Sequence, residues 1–358
     1  MSSSPSYGDI RNCLRILLLC GGWYSVSSAN GVIGKWILSE FPHPMSLTMV
    51  QLLSITLYSR PLMVLLNVRS FSVTWKYYLK LIVPLAFAKF LFSVMSHISI
   101  WKVPVSYAHT VKATMPFFTV IIARILFGEK HGWKVYFSLL PIIGGVAIAT
   151  LTEASFHPLG LICALVATAG FSLINIYSKQ VLKESGVHQL RLVLVIGQLS
   201  LFMFLPFWFY YDFFSILAVY YDENVNFSSI AFLLALDGFF NWLQSIFALS
   251  ILKLVAPLTY AVANVTKRIS IISISLLMLK NPITSTNLGG MLFAIFGVFF
   301  YNKAKYDENR AKETLPTRGS GHPSIRPLSH SLWQVYDSDV NQLKSRSHKF
   351  ISNGYQPL

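Results

Sequence analysis

"PVSYAHTVK", Pro104 to Lys112, returns later in the chain as "PLTYAVANVTK", Pro257 to Lys267. Each copy reads proline, an aliphatic residue, a hydroxyl residue, Tyr, Ala and, within the next two turns, a lysine. A second echo pairs "SANGVIGKWIL" (Ser28 to Leu38) with "SLINIYSKQVL" (Ser172 to Leu182) at nearly the same offset. One short match of this kind arises by chance in any apolar helix. Two at one offset point to an internal repeat, and the number of helices per repeat then decides the fold.

The surrounding sequence supplies that number. Of 358 residues, 54% are hydrophobic and 12% charged, against roughly 25% charged in a soluble globular protein. About ten apolar segments reach the roughly 20 residues needed to cross a hydrocarbon core: 13–38, 45–66, 79–100, 105–127, 133–151, 158–180, 190–211, 230–252, 256–279 and 285–302. The expected fold is therefore all-α and polytopic, with ten transmembrane helices. The echoes lay spans 1–5 (residues 13–155) over spans 6–10 (156–303). A five-span unit has its ends on opposite faces of the bilayer, so two tandem copies are inserted upside down relative to each other. Inverted repeats of this kind build alternating-access transporters, with the solute site near the midplane where the repeats meet.

Residues 1–12 read as a cytosolic N-terminus. Residues 304–358 change to Gly, Pro, Ser, Lys and Arg and read as a disordered basic cytosolic tail. The first span is too long for a cleavable signal and is followed at once by further spans; no Arg- and Ser-rich transit segment precedes it. Loop charges orient the bundle. One set of connections holds Arg11, Arg15, Arg69, Lys76, Lys130, Lys134, Lys183, Arg191, Lys303 and Lys305. The other holds Lys102 and Lys280 with Glu40, Glu153, Asp212, Asp222 and Glu223. Both termini are thus expected in the cytosol, and Asn226 to Ser228 is a glycosylation sequon on the lumenal side. This asymmetry accounts for most of the net charge of +15, so the basic balance does not indicate nucleic acid. Cys13, Cys20 and Cys163 are scattered through apolar runs and make neither a disulfide framework nor a metal site. No cofactor is implied, and oligomeric state leaves no mark on the sequence.

The spans also contain charges. Lys35, Lys89, Lys112, Lys267 and Arg268 lie within them, against a single well-buried acid, Asp237. A cation at the centre of a spanning helix costs roughly 2.5–3.5 kcal/mol on insertion scales, so it faces a cavity and finds a partner. One carboxylate cannot neutralise five cations, and an anionic solute is the simplest counter-charge. Snorkelling is an alternative for Lys35, near a span end. Helical spacing groups these residues into four polar stripes: Tyr260, Asn264 and Lys267 with Arg268; His109, Lys112 and Pro116; Lys89, Ser93 and Ser96; Asp237, Asn241 and Gln244. Lysine with arginine suits phosphate, the guanidinium as a bidentate fork and the ammonium as a point charge. Pro104 and Pro257 read as helix starts rather than kinks, and His109 as a lining residue or, alternatively, a proton carrier.

The segments "WYSVSSANGVIGKWILSEFPHP", "SIWKVPVSYAHTVKATMPFF", "ILKLVAPLTYAVANVTKR" and "NPITSTNLGGMLFAIFGVFFYNK" resemble the triose-phosphate and nucleotide-sugar transporter branch of the drug/metabolite transporter superfamily, in particular solute carrier family 35, subfamily E. The resemblance covers about residues 13–306. It implies ten helices in two inverted halves and strict exchange of phosphate with a phosphorylated sugar. The phosphate-binding lysine of the plastidic translocators matches Lys112 in "AHTVK", their "KR" matches Lys267 and Arg268, and their first-helix lysine matches Lys35. The other end of the site departs. Ser93 stands where they have a sugar-facing histidine, Ser96 where they have a hydroxyl residue, and Gln244 where they have a tyrosine.

The reading is an antiporter for a small phosphorylated anion in a lipid bilayer. Lys112, Lys267, Arg268 and Lys35 form its phosphate end; Ser93, Ser96, His109, Asn241, Gln244, Tyr260 and Asn264 form its organic end. A nucleotide-sugar carrier is the alternative within transport. A membrane enzyme, with His109 and Asp237 as a thin constellation, and a scaffold working through the tail are alternatives of other classes. The tail ends "GYQPL" without a retrieval address, and the resemblance points to a Golgi or other secretory-pathway membrane.

Overall fold

A computed structural model describes residues 7–67, 75–185, 187–220, 227–255, 257–281 and 283–314. Arg69, Asp222, Glu223, the Asn226 position of the sequon and the tail from residue 315 lie outside the described residues. Every regular element among the described residues is helical. In chain order they are α1 (Tyr7–Glu40), α2 (Pro44–Leu65), α3 (Trp75–Tyr77), α4 (Val83–Lys102), α5 (Val105–Val111), α6 (Met115–Phe127), α7 (Trp133–Phe137), α8 (Leu139–Leu151), α9 (Pro158–Ser185), α10 (Gln189–Trp208), α11 (Phe214–Tyr220), α12 (Phe227–Leu254), α13 (Pro257–Leu279) and α14 (Ser285–Thr314). A π turn, Tyr78–Ile82, joins α3 to α4, and another, Phe209–Phe213, joins α10 to α11.

Eight helical rods among the described residues are long and apolar enough to cross a membrane. Two of the ten expected segments fall outside this set, for different reasons. The fourth is broken at a 3₁₀ turn, Lys112–Thr114, between α5 and α6. Pro116 causes the break: it has no N–H to give the Lys112 carbonyl four residues back, and its ring crowds that carbonyl. The Met115 N–H takes the Lys112 carbonyl instead, closing the tighter turn. Pro141 acts alike at the α7–α8 joint, where α7 ends at Phe137, four residues before it.

The tenth segment, α14, is apolar only in its middle. It runs on to Thr314, so the stretch expected to be disordered from residue 304 begins as helix. "KAKYDENRAK" is rich in good helix formers, and the extension is docked. Lys305 Nζ lies 2.8 Å from His131 Nδ1, and Glu308 accepts from the Gly132 N–H at 3.3 Å.

Apolar side chains of α1, α5, α8, α13 and α14 form the largest core, with Ile37, Leu38, Tyr107, Ile142 and Met291 almost completely buried. The principal pairings are α8 with α14, α4 with α9, α1 with α12, α2 with α10 and α12, α1 with α13, and α4 with α10. At the α8–α14 crossing the backbones touch. A Cβ on Gly145 would lie 2.6 Å from the Gly290 carbonyl oxygen, and one on Gly290 would lie 2.9 Å from the Gly145 carbonyl oxygen. Small residues permit this approach, which supplies packing where lipid removes the hydrophobic drive between helices. Gly22 of α1 takes the ring of Phe247 from α12, and Gly170 of α9 takes the ring of Phe92 from α4.

Candidate functional site

Helices α1, α2, α4, α5, α9, α12 and α13 enclose a polar cavity of about 280 Å³. Its cationic wall carries Lys112, Lys267 and Arg268, with His109 and Asn264 beside them. Lys112 projects from the 3₁₀ turn that Pro116 creates, whereas Lys267 and Arg268 project from unbroken α13. Lys112, Lys267 and Arg268 are close enough to repel one another, and His109 feels all three. No carboxylate among the described residues pairs with any of them. The Nη1 atom of Arg268 is buried with no hydrogen-bond partner, and an unsatisfied buried donor on a charged group costs well over 1–3 kcal/mol. Lys267 is held in another way: its Nζ sits 4.6 Å from the centroid of the Trp23 ring, a cation–π distance.

The opposite wall is closed on itself. Asp237, fully buried, accepts from Asn30 Nδ2 at 2.8 Å and from Gln51 Nε2 at 2.7 Å. Gln244 Nε2 donates to Asn241 Oδ1 at 3.1 Å and to Asn30 Oδ1 at 3.3 Å, and Ser27 donates to Gln244 Oε1 at 3.1 Å. Gly34 faces the acid, and a Cβ there would lie at ordinary contact distance, 3.5 Å, from Asp237 Oδ1. Amide donors thus stabilise Asp237, and its oxygens are engaged before any solute arrives.

Between the walls, α4 contributes Lys89, Ser93, Ser96 and His97. The Ser93 hydroxyl donates to the Lys89 carbonyl at 2.7 Å, which leaves its oxygen lone pairs available. His97 Nδ1 lies 2.7 Å from Thr48 Oγ1, whose single proton goes to the Pro44 carbonyl at 2.8 Å. In that arrangement Nδ1 carries the imidazole proton and Nε2 is an acceptor.

Of the residues expected at the site, Lys112, Lys267, Arg268, Ser93, Ser96, His109, Asn241, Gln244 and Asn264 all line this cavity. Two do not. Lys35 donates through Nζ to the carbonyls of Ile100, Trp101 and Val103 at 2.8, 3.0 and 3.1 Å, satisfying acceptors that the end of α4 leaves open. Tyr260 stacks on Trp23 with centroids 5.7 Å apart and planes at 21°, and so supports the ring beneath Lys267. The cavity also holds residues outside the expected set: Ser27, Asn30, Gly34, Gln51, His97 and Phe171. Ser27, Asn30 and Gly34 share one face of α1 at helical spacing, a signal present in the sequence. Gln51 carries a comparable pattern, with Thr48 and Ser54 three residues to either side.

The profile of the Triose-phosphate Transporter family matches residues 14–302. Phosphoenolpyruvate/phosphate translocator 3, chloroplastic, of Oryza sativa subsp. japonica is 32% identical over 289 residues, spanning 79% of this chain and 72% of that one. Glucose-6-phosphate/phosphate translocator 2, chloroplastic, of Arabidopsis thaliana is 30% identical over 301 residues, 82% and 76% of the two chains. Putative transporter C83.11 of Schizosaccharomyces pombe is 29% identical over 314 residues, 83% and 69% of the two chains. With the match running through every helix that builds the cavity, this chain belongs to the Triose-phosphate Transporter family.

Proposed function

We propose that the protein is an alternating-access antiporter, exchanging a phosphorylated organic anion such as a sugar phosphate for phosphate. The observation that carries the reading is the cationic wall: Lys112, Lys267 and Arg268 meet in one cavity, no carboxylate among the described residues pairs with them, and a donor of Arg268 is left unpaired. A phosphate dianion supplies both the charge and the acceptors. The names of the relatives, translocators of phosphoenolpyruvate and glucose 6-phosphate against phosphate, agree with this chemistry.

Charge then gates the cycle. Without an anion, the three cations repel across the α5–α13 contact and keep the halves apart. A bound dianion relieves the repulsion and lets the halves close around it, so the carrier crosses loaded and returns loaded. That is exchange rather than leak. Lys112, Lys267 and Arg268 bind the phosphate; Ser93, Ser96, His109, Asn241, Gln244 and Asn264 meet the organic part. Lys35 holds the end of α4 and Tyr260 holds Trp23, so both act on the site through other groups.

Ten crossings in two inverted halves are part of this reading, with α5–α6 as the fourth and α14 as the tenth. The pairing of α1 with α12 has its counterpart in α9 with α4, each made through a glycine against a phenylalanine ring. The contact of Gly238 with Ser54 has its counterpart in Ser200, whose hydroxyl donates to the Ala86 carbonyl at 2.8 Å. Loop charges favour cytosolic termini, and a Golgi or other secretory-pathway membrane is the proposed site of action.

A cavity of about 280 Å³ sits at the lower edge of the roughly 300–1,000 Å³ of pockets for drug-sized ligands, a size that suits a small phosphate ester more readily than a nucleotide sugar. An enzyme using His109 and Asp237 is disfavoured because both Asp237 oxygens are held by amides. Counterflow in proteoliposomes preloaded with phosphate tests the proposal: saturable, trans-stimulated uptake of a labelled phosphate ester is expected. Uptake that ignores the internal anion, or conversion of the ester to product, would overturn it.

A further inference from the structure

One cation in the cavity is not used by a phosphate held at Lys112, Lys267 and Arg268. Lys89 lines the cavity from α4 and has no hydrogen-bond or carboxylate partner among the described residues. Its Nζ lies 5.5 Å from the centroid of the Phe171 ring, within cation–π range, so the ammonium is held in place without being neutralised. It enters the cavity from α4, whereas Lys112 enters from the turn between α5 and α6 and Lys267 and Arg268 enter from α13. Ser93 and Ser96, two of the groups assigned to the organic part of the solute, lie on the same helix as Lys89.

Charge counting gives the consequence. Four cations face a single carboxylate, Asp237, which leaves three positive charges uncompensated. A phosphate monoester brings about 1.5–2 negative charges near pH 7. About one positive charge remains, and Lys89, on α4 with Ser93 and Ser96, is the cation outside the phosphate-binding set. We propose that Lys89 binds a second anionic group on the organic part of the substrate. The preferred solutes are then phosphate esters that carry another acid, a carboxylate or a second phosphate, rather than phosphate esters whose organic part is uncharged. Lys89 is a specificity residue in this scheme. The proposal rests on the phosphate-exchange reading above.

The experiment measures counterflow into phosphate-loaded proteoliposomes for five solutes: phosphoenolpyruvate, 3-phosphoglycerate, fructose 1,6-bisphosphate, glucose 6-phosphate and glycerol 3-phosphate. With wild-type protein, at least one of the first three is expected to exceed the last two by about 10-fold or more in kcat/KM, the scale of one charge-assisted hydrogen bond. The carboxylate and bisphosphate arms identify which second acid is read. Lys89→Met is expected to cut the ratio of that solute to glycerol 3-phosphate by about 10–100-fold, and Lys89→Arg, which keeps the charge, to preserve most of it. Equal use of singly and doubly acidic esters by the wild type overturns the proposal even if Lys89→Met fails to fold, and so does a ratio unmoved by Lys89→Met. If wild-type protein exchanges no phosphate compound, phosphate for phosphate included, the antiport reading itself falls. Phosphate exchange without a preference for the second acid defeats only the role of Lys89.

Discussion

The two echoing stretches have nearly the same beginning and end in different backbones. "PLTYAVANVTK" starts α13 at Pro257 and continues as regular helix to Leu279, whereas "PVSYAHTVK" starts after Pro104 and breaks at Lys112. One residue accounts for the difference: Pro116 follows Lys112 by one turn, and Ile271 follows Lys267 at the same distance. A 3₁₀ residue turns about 120° and an α residue about 100°, so the three residues of the break rotate α6 by about 60° relative to α5. Each of the two echoing stretches delivers a lysine to the cavity, and the proline changes only how one of them is presented. The lesson is that a shared chemical demand can survive a change of local geometry.

The largest effect should come from removing the cations themselves. Lys267→Ala and Arg268→Ala are each expected to lower phosphate exchange by about 100-fold or more, since each deletes a charge-assisted contact of roughly 1.5–3 kcal/mol and the repulsion that the anion relieves. The variants should remain folded, as monitored by size exclusion in detergent, because removing a buried unpaired cation relieves a desolvation cost. Lys112→Ala should match them if the two halves contribute alike. A parental exchange rate in any of the three would refute charge gating.

Next comes the α8–α14 crossing, where two backbones touch. Gly145→Leu puts a side chain where a Cβ alone would lie 2.3 Å from the Ala294 nitrogen, so α8 and α14 must separate. The expected result is a sharp fall in monodisperse protein and in thermal stability, exceeding the roughly 1–3 kcal/mol of ordinary overpacking. Gly289 has open space around it, and Gly289→Ala on the same helix should be close to neutral.

A smaller effect is expected from repairing the break. Pro116→Ala restores an N–H for the Lys112 carbonyl and lets α5 run into α6. That rotates Lys112 away from Lys267, and a KM for phosphate raised about 10-fold is expected, corresponding to about 1.4 kcal/mol. A fall in kcat with unchanged KM would instead mark the turn as a moving hinge.

How much of this was legible in the sequence depended on whether the signal was periodic. Lys112, Lys267, Arg268, Ser93, Asn241 and Gln244 recur at helical spacing within apolar runs, and each lines the cavity. Gln51 and His97 stand at the same kind of spacing, Gln51 three residues from both Thr48 and Ser54 and His97 four after Ser93, but spacing does not reveal their partners, Asp237 for Gln51 and Thr48 for His97. Lys35 and Tyr260 carried the right chemistry in the right helices, yet their long side chains reach other partners, the α4 carbonyls and Trp23. Sequence spacing fixes the direction in which a side chain leaves its helix, but not where its polar tip finishes. A related limit applied to helix length: the composition after residue 304 allows α14 to continue as helix, but its docking through Lys305 and Glu308 on the His131–Gly132 loop is a tertiary contact that composition does not show.

The smallest predicted effect concerns the support of one lysine alone. Lys267 rests over Trp23, and Trp23 is only 2% exposed and stacked on Tyr260; no ring supports Lys112 in this way among the described contacts. Trp23→Phe keeps an aromatic face but weakens its attraction for the ammonium, because indole is the strongest of the three ring types. With a partly exposed cation–π contact worth about 0.5–1 kcal/mol, losing part of it should raise the KM for phosphate about 2–3-fold and leave kcat nearly unchanged. Tyr260→Phe, which preserves the stack, should have less effect still. Combining Trp23→Phe with Lys267→Met should add nothing to Lys267→Met alone, since the ring then has no charge to hold. A double variant markedly worse than Lys267→Met would show that Trp23 serves the core rather than the cation, and the asymmetry between the two lysines would then lie in Pro116 alone.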